Sequence, residues 1–203
     1  MNQKIENTLK ALKKNGFKAR YFEDSKSAVK ILLEEINVTD KVGIGGSMTI
    51  KQLGIPEELL QRGNTVYFHW LESTPEGMDN ARRNASTADV YLTSTNALTE
   101  KGQLVNIDGT GNRVSAMVFG PKKVYVICGI NKLVDDVDGA IKRIKDNAYK
   151  NARRLNLKTP CAITEKCNDC DSPQRMCNVT TIIEKKPNKI DIEVMIIGES
   201  LGY

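Results

Sequence analysis

Between Leu104 and Val114 the chain reads LVNIDGTGNRV, a strand-like opening followed by six small or polar residues before the apolar pattern resumes. An ordinary reversal needs about two to four such residues, so this run has capacity to spare for a ligand. Asp108, Gly109, Thr110, Gly111, Asn112 and Arg113 form the first candidate segment. The second is VGIGGSMT, Val42 to Thr49, where Gly45 and Gly46 permit a tight turn and Ser47 and Thr49 add hydroxyls. Such a loop suits phosphate or carboxylate. It contains neither Gly-Lys-Ser/Thr nor G-x-G-x-x-G, so it is not a nucleotide fingerprint. The third is TSTNALTE, Thr93 to Glu100, with Asn96; the fourth is GINKLV, with Asn131 and Lys132. Taken singly, each has a plain structural reading: the asparagines as caps, Lys132 as a solvated cation, Asp108 and Asn112 as turn formers.

A different chemistry is suggested by PCAITEKCNDCDSPQRMCN. Cys161, Cys167, Cys170 and Cys177 are spaced C-x5-C-x2-C-x6-C. Four thiols in so short a segment can close on one soft metal, as zinc or as an iron–sulfur cluster. The spacing matches neither a zinc ribbon nor the C-x2-C-x2-C ferredoxin run. Reduced structural thiols, or a redox-labile C-x-x-C pair, are the competing reading. Cys128 lies within the apolar VYVICG and reads as core. The single histidine, His69, stands beside Trp70 and reads as structural; one His and no G-x-S-x-G argue against a serine-hydrolase triad.

These residues need a scaffold. The chain has 203 residues, 40% hydrophobic and 27% charged, with a net charge of +5, as expected for one globular domain spanning 1–203 with 158–179 as a cysteine-rich loop. The lysines are dispersed and aromatics are only 5%, which argues against nucleic acid and for a mild preference for anionic ligands. No stretch approaches the ~20 apolar residues of a membrane span. The N-terminal MNQKIENTLKALKKNGF is a charged amphipathic helix rather than a signal peptide, so a cytoplasmic location is expected. Helical and strand patterns then alternate. KARYFE, KVGIGG, NTVYFHW, DVYLTSTNALT, KKVYVICG and KIDIEVMIIGES read as strands; TEKG reads as a hairpin turn into QLVNID. Alternation of this kind predicts an α/β fold, with a mainly parallel sheet flanked by helices, a small antiparallel hairpin and a cysteine-bearing C-terminal loop. Ligands of open sheets bind beyond the carboxyl ends of the strands. All four polar segments fall at such ends.

The stretch TSTNALTEKGQLVNIDGTGNRVSAMVFGPKKVYVICGINKLV closely resembles the LUD (lactate utilization) domain family, and VGIGGSMT resembles its glycine loop. The resemblance implies a fold similar to ribose-5-phosphate isomerase and the CoA transferases. It also implies a role in oxidation of L-lactate or a similar 2-hydroxy acid alongside iron–sulfur partner proteins. Its matching pocket positions are Gly45, Gly46, Ser47, Thr49, Asn96, Asp108, Gly109, Thr110, Gly111, Asn112, Arg113 and Lys132. In a catalytic site Asp108 or Glu100 would act as base, and Lys132 or Arg113 would stabilise an enolate or carboxylate. Arg113 suits a two-bond carboxylate clamp. The redox setting of the family favours iron–sulfur over zinc at the cysteines. No nicotinamide or flavin fingerprint is visible, so a hydride acceptor is missing. The expected partners are a small anionic metabolite, iron–sulfur proteins and, as an open alternative, a second copy of the chain. A non-catalytic metabolite- or redox-sensing module and a sugar-phosphate isomerase-like enzyme remain alternatives.

Overall fold

The structure is a computed structural model and describes residues 2–203. Its chain order is α1 (Gln3–Lys14), β1 (Lys18–Phe22), α2 (Ser25–Glu35), β2 (Lys41–Ile44), α3 (Met48–Gln52), α4 (Ile55–Gln61), β3 (Thr65–Tyr67), α5 (Pro75–Ala85) and β4 (Val90–Thr93). There follow β5 (Ala97–Thr99), β6 (Leu104–Asp108), α6 (Asn112–Val118), β7 (Lys123–Gly129), β8 (Leu133–Val134), α7 (Val137–Arg154), α8 (Pro160–Thr164), β9 (Val179–Ile183) and β10 (Asp191–Ile197).

Six strands form one sheet in the order β1-β10-β7-β4-β2-β3, and every pairing in it is parallel. The two central strands, KVYVICG and DIEVMII, are apolar nearly throughout because helices or a second sheet cover both faces. Alternate side chains divide between two cores. Val124, Val126 and Cys128 face Leu12 of α1 and Met117 of α6, whereas Tyr125 and Ile127 face Leu32 of α2 and Ile50 of α3. Local signals fix the helix starts. Asn2, Asp24, Ser47, Thr74 and Asp136 each accept a backbone N–H in the first turn of the helix they precede.

The expected hairpin is present, with Leu98 opposite Leu104 and Ala97 opposite Val105. It belongs to a second sheet, ordered β8-β5-β6-β9. The period of two sorts its residues: Leu98 and Leu104 join the core under the large sheet, while Ala97 and Val105 pack on Ala140 and Ile144 of α7. The fold is thus layered as helices, large sheet, small sheet with α1 and α6, and α7.

One expectation is corrected and one element is added. NTVYFHW is a strand only over Thr65–Tyr67; Phe68 turns inward as core and His69 and Trp70 leave the sheet. VTTII, to which the sequence reading assigned no element beyond the loop end at 179, is β9, paired antiparallel with β6 from Leu104↔Ile183 to Asp108↔Val179. Its burial is slight, with Val179 and Ile182 exposed, so it carries no strong apolar alternation.

Candidate functional site

The carboxyl ends of β2, β4 and β7 meet the end of β6 around a cleft of about 370 Å³. Gly46, Ser47 and Thr49 enter from the loop after β2, and Ser94, Thr95 and Asn96 from that after β4. Lys132 comes from the turn after β7, Asp108 from the end of β6, Gly109 and Thr110 from the loop after it, and Asn112 and Arg113 from the first turn of α6. The two glycine-bearing segments therefore face one space, although more than 50 residues separate them in sequence. A Cβ built on Gly45 would lie 3.1 Å from the Cγ of Arg113, so the segments also pack directly. Gly45 and Gly111 sit behind the wall rather than in it. Gly111 takes a left-handed φ of 85° as the residue before α6, the conformation glycine adopts without strain.

Lys132 is the most unusual group. It is 4% exposed, and its Nζ donates to Thr49 Oγ1 at 3.0 Å and to Ser94 Oγ at 2.9 Å. No carboxylate pairs with it among the described residues. Burial pushes its pKa down to about 7; the Cys128 thiol opposes the shift, and the guanidiniums of Arg143 and Arg113 reinforce it. The side chain is therefore poised to exchange a proton near neutrality.

Arg113 has a different place from that of an open clamp. Its Nη1 donates to Ser94 O at 3.2 Å and Asn106 Oδ1 at 2.6 Å; Nη2 donates to Asn96 Oδ1 at 2.8 Å and Ile107 O at 3.2 Å. Its Nε lies 3.6 Å from Asp108 Oδ2. The guanidinium thus spends its donors on the loops that make the cleft. Asn96 and Asn106 complete the brace: Asn96 N donates to Asn106 Oδ1 and Ile107 N to Asn96 Oδ1, at 3.0 and 3.1 Å. Asp108 accepts from Gly109 N at 2.8 Å and Val114 N at 3.3 Å, folding the loop and covering the start of α6. Glu100 is not brought to the cleft. It follows β5 in the hairpin turn, where its Oε1 accepts from Asn7 Nδ2 at 2.8 Å.

The opposite wall contains groups that the sequence reading assigned to other roles or passed over. Arg82, from the polar face of α5, and Arg154, from the last turn of α7, both line the cleft, and neither forms an ion pair among the described residues. Arg154 stacks 4.6 Å above the ring of Trp70. His69, read as structural, is part of this wall. Burial, then Arg82 and Arg154, push its pKa down to about 4, so it is neutral at pH 7. Its buried Nδ1 has no partner. A polar helix that looks merely solvated in sequence cannot reveal that one of its arginines overhangs a cavity. The four basic side chains Arg82, Arg113, Lys132 and Arg154 share the cleft with a single acidic side chain, Asp108, so its side chains favour an anion.

The four cysteines of the C-terminal segment are all free thiols and line a separate cleft of about 230 Å³. As placed, no three His, Cys, Asp or Glu side chains among the described residues are positioned to hold one metal ion. No helix among them is long and apolar enough to cross a membrane.

The fold is similar to that in the crystal structure of a DUF162 family protein from Deinococcus radiodurans, with a TM-score of 0.53 and 11% identity over 97% of each chain. No curated protein matches the chain. The pattern of the LUD domain matches residues 5–197, almost the whole length, and the chain belongs to the LUD domain family.

Proposed function

We propose that the strand-end cleft binds a small carboxylate, and that the chain serves as a LUD-family subunit in the oxidation of L-lactate or a similar 2-hydroxy acid to the keto acid. The observation that carries this reading is Lys132: a buried amine with a pKa of about 7, held by two hydroxyls in a cleft rich in unpaired cations. Arg82 and Arg154 would draw the carboxylate, and neutral Lys132 would accept the hydroxyl proton as the alcohol carbon is oxidised. That carbon also releases a hydride. The sequence carries no nicotinamide or flavin fingerprint, so the hydride is assigned to a two-electron, flavin-class acceptor on a partner protein, from which an iron–sulfur centre would carry the electrons away one at a time. Arg113 and Asp108 keep the pocket shape; their donors and acceptors support that role more than direct attack on substrate.

Calorimetry with L-lactate, pyruvate, a sugar phosphate and CoA tests the reading. Binding of lactate or pyruvate that weakens tenfold or more in Lys132→Met supports it, and silence towards all four ligands overturns it. The sensing alternative draws on the same cleft and on the absence of a cofactor fingerprint. It predicts affinity without turnover when an electron-accepting partner is supplied.

A further inference from the structure

The cleft beside the C-terminal segment lies outside the site described above. Its walls come from α7, α8, β6, β9 and the loop that follows α8, and all four cysteines of that segment line it. We propose that Cys161, Cys167, Cys170 and Cys177 are the ligands of a thiolate-bound metal centre, a zinc ion or an iron–sulfur cluster.

A core role explains Cys128, which is fully buried in β7, but not these four. Cys167 is exposed and the other three are only partly buried, in a segment with few apolar anchors. Thiols that neither fill a core nor pair as disulfides are free to act as soft ligands. All four also line one and the same cleft of about 230 Å³, and thiols gathered on one cavity can be closed on a soft cation that takes their protons' place.

The loop is already folded around one guanidinium. Arg175 donates to Cys170 O at 2.7 Å, to Cys177 O at 3.0 Å and to Asp169 Oδ1 at 2.8 Å. This arrangement ties the C-x-x-C turn to the last cysteine and places a positive charge beside the thiolates. Left-handed backbone at Glu165 (φ 60°) and Asp169 (φ 50°) makes the turns that bring Cys161 and Cys170 to the same cleft. Full coordination requires the exposed Cys167 to draw inward and the other three thiols to turn towards a common point, since no three of these side chains converge among the described residues. Ile107 and Met176 belong to both clefts, so the centre would adjoin the wall of the carboxylate site.

The test is anaerobic purification of the full chain, with zinc, iron and sulfide analysis and an absorption spectrum. The expected result is one zinc ion or one cluster per chain, lost in the Cys167→Ser/Cys170→Ser double variant. Circular dichroism of that variant should stay unchanged, because both residues lie on an exposed loop. A second readout is thiol titration of the folded protein, with the cysteines of this segment gaining reactivity only after a chelator is added. The proposal falls if the chain holds no metal as purified and takes up none from zinc, or from iron with sulfide. It falls equally if the double variant binds metal as the parent does. Lactate calorimetry on the same double variant separates this outcome from failure of the carboxylate reading.

Discussion

Lys132 and Thr49, 83 residues apart, are joined by a hydrogen bond of 3.0 Å from the lysine Nζ to the threonine Oγ1. Ser94 receives a second bond from the same nitrogen, so one amine spans the ends of β7, β2 and β4. Two of its three N–H donors are used in this way, in surroundings that leave the residue 4% exposed and offer no carboxylate. A lysine is a costly residue for that position, and the cost points to a task other than folding.

Replacement of Lys132 by Met should raise stability by about 0.5–2 kcal/mol, the scale on which relief of a strained functional site is felt. Carboxylate binding should be lost in the same protein. Urea unfolding and calorimetry together check the pair; a variant that loses both stability and binding would mark the lysine as structural.

Carboxylate affinity should fall as pH rises through about 7, where Lys132 loses its proton. Stability should move the other way. The folded pKa lies below the ordinary lysine value of 10.5, so the unfolded chain holds the extra proton between those two values, and stability grows with pH across that window. His69 acts in the same sense at lower pH: with a folded pKa of about 4 against 6.5, it takes stability away as pH falls through that interval. Unfolding curves from pH 4 to 10 read both slopes, and Lys132→Met should flatten only the upper one.

Arg113→Ala should destabilise by about 3–5 kcal/mol, the range for removing one partner from a buried charged network. The Asn96 and Asn106 side chains and two carbonyls would lose their donor together. Arg113→Lys should recover little, because an ammonium cannot reproduce the planar fork. Thermal unfolding of the two variants beside the parent decides the matter. A near-normal melting temperature with lost ligand affinity would return Arg113 to the role of clamp.

Gly43→Ala should cost about 1–3 kcal/mol through overpacking. The new methyl would collide with the Ala85 carbonyl and lie 2.7 Å from its Cα, both backbone atoms of α5 that cannot swing aside. Gly46→Ala, which meets only the edge of His69 at 3.1 Å, should be milder. Denaturant midpoints of the two variants give the comparison.

The strand ends that build the cleft were legible because their signals are local. Apolar runs such as KVYVICG stop abruptly at polar or glycine residues, and a parallel sheet brings its carboxyl ends to one rim. Gly46, Ser47, Thr49, Asn96, Asp108 and Lys132 all arrive there. The opposite wall was not legible. Arg82 and Arg154 reach it from two helices whose arginines look solvated until α5 and α7 are placed in space. Asn106 was hidden differently, by standing inside a strand whose pattern reads as backbone scaffold. Its partners are set by β5–β6 pairing and by α6, neither of which a linear reading orients. The strand β9 escaped because its burial depends on one neighbour, β6, rather than on a period of its own.

The brace at Arg113 has a dynamic consequence. One side chain fastens the turn leaving β4, the hairpin strand β6 and the first turn of α6, so these three pieces share a single cross-tie. Arg143 adds a parallel link from α7 to the carbonyls of Asn96 and Asn131, at 2.7 and 2.9 Å. The rim so fastened breathes as one cooperative unit. Amide hydrogens at 94–96 and 106–108 should therefore exchange in step with one another, while the cysteine loop, which neither arginine ties, keeps its own tempo.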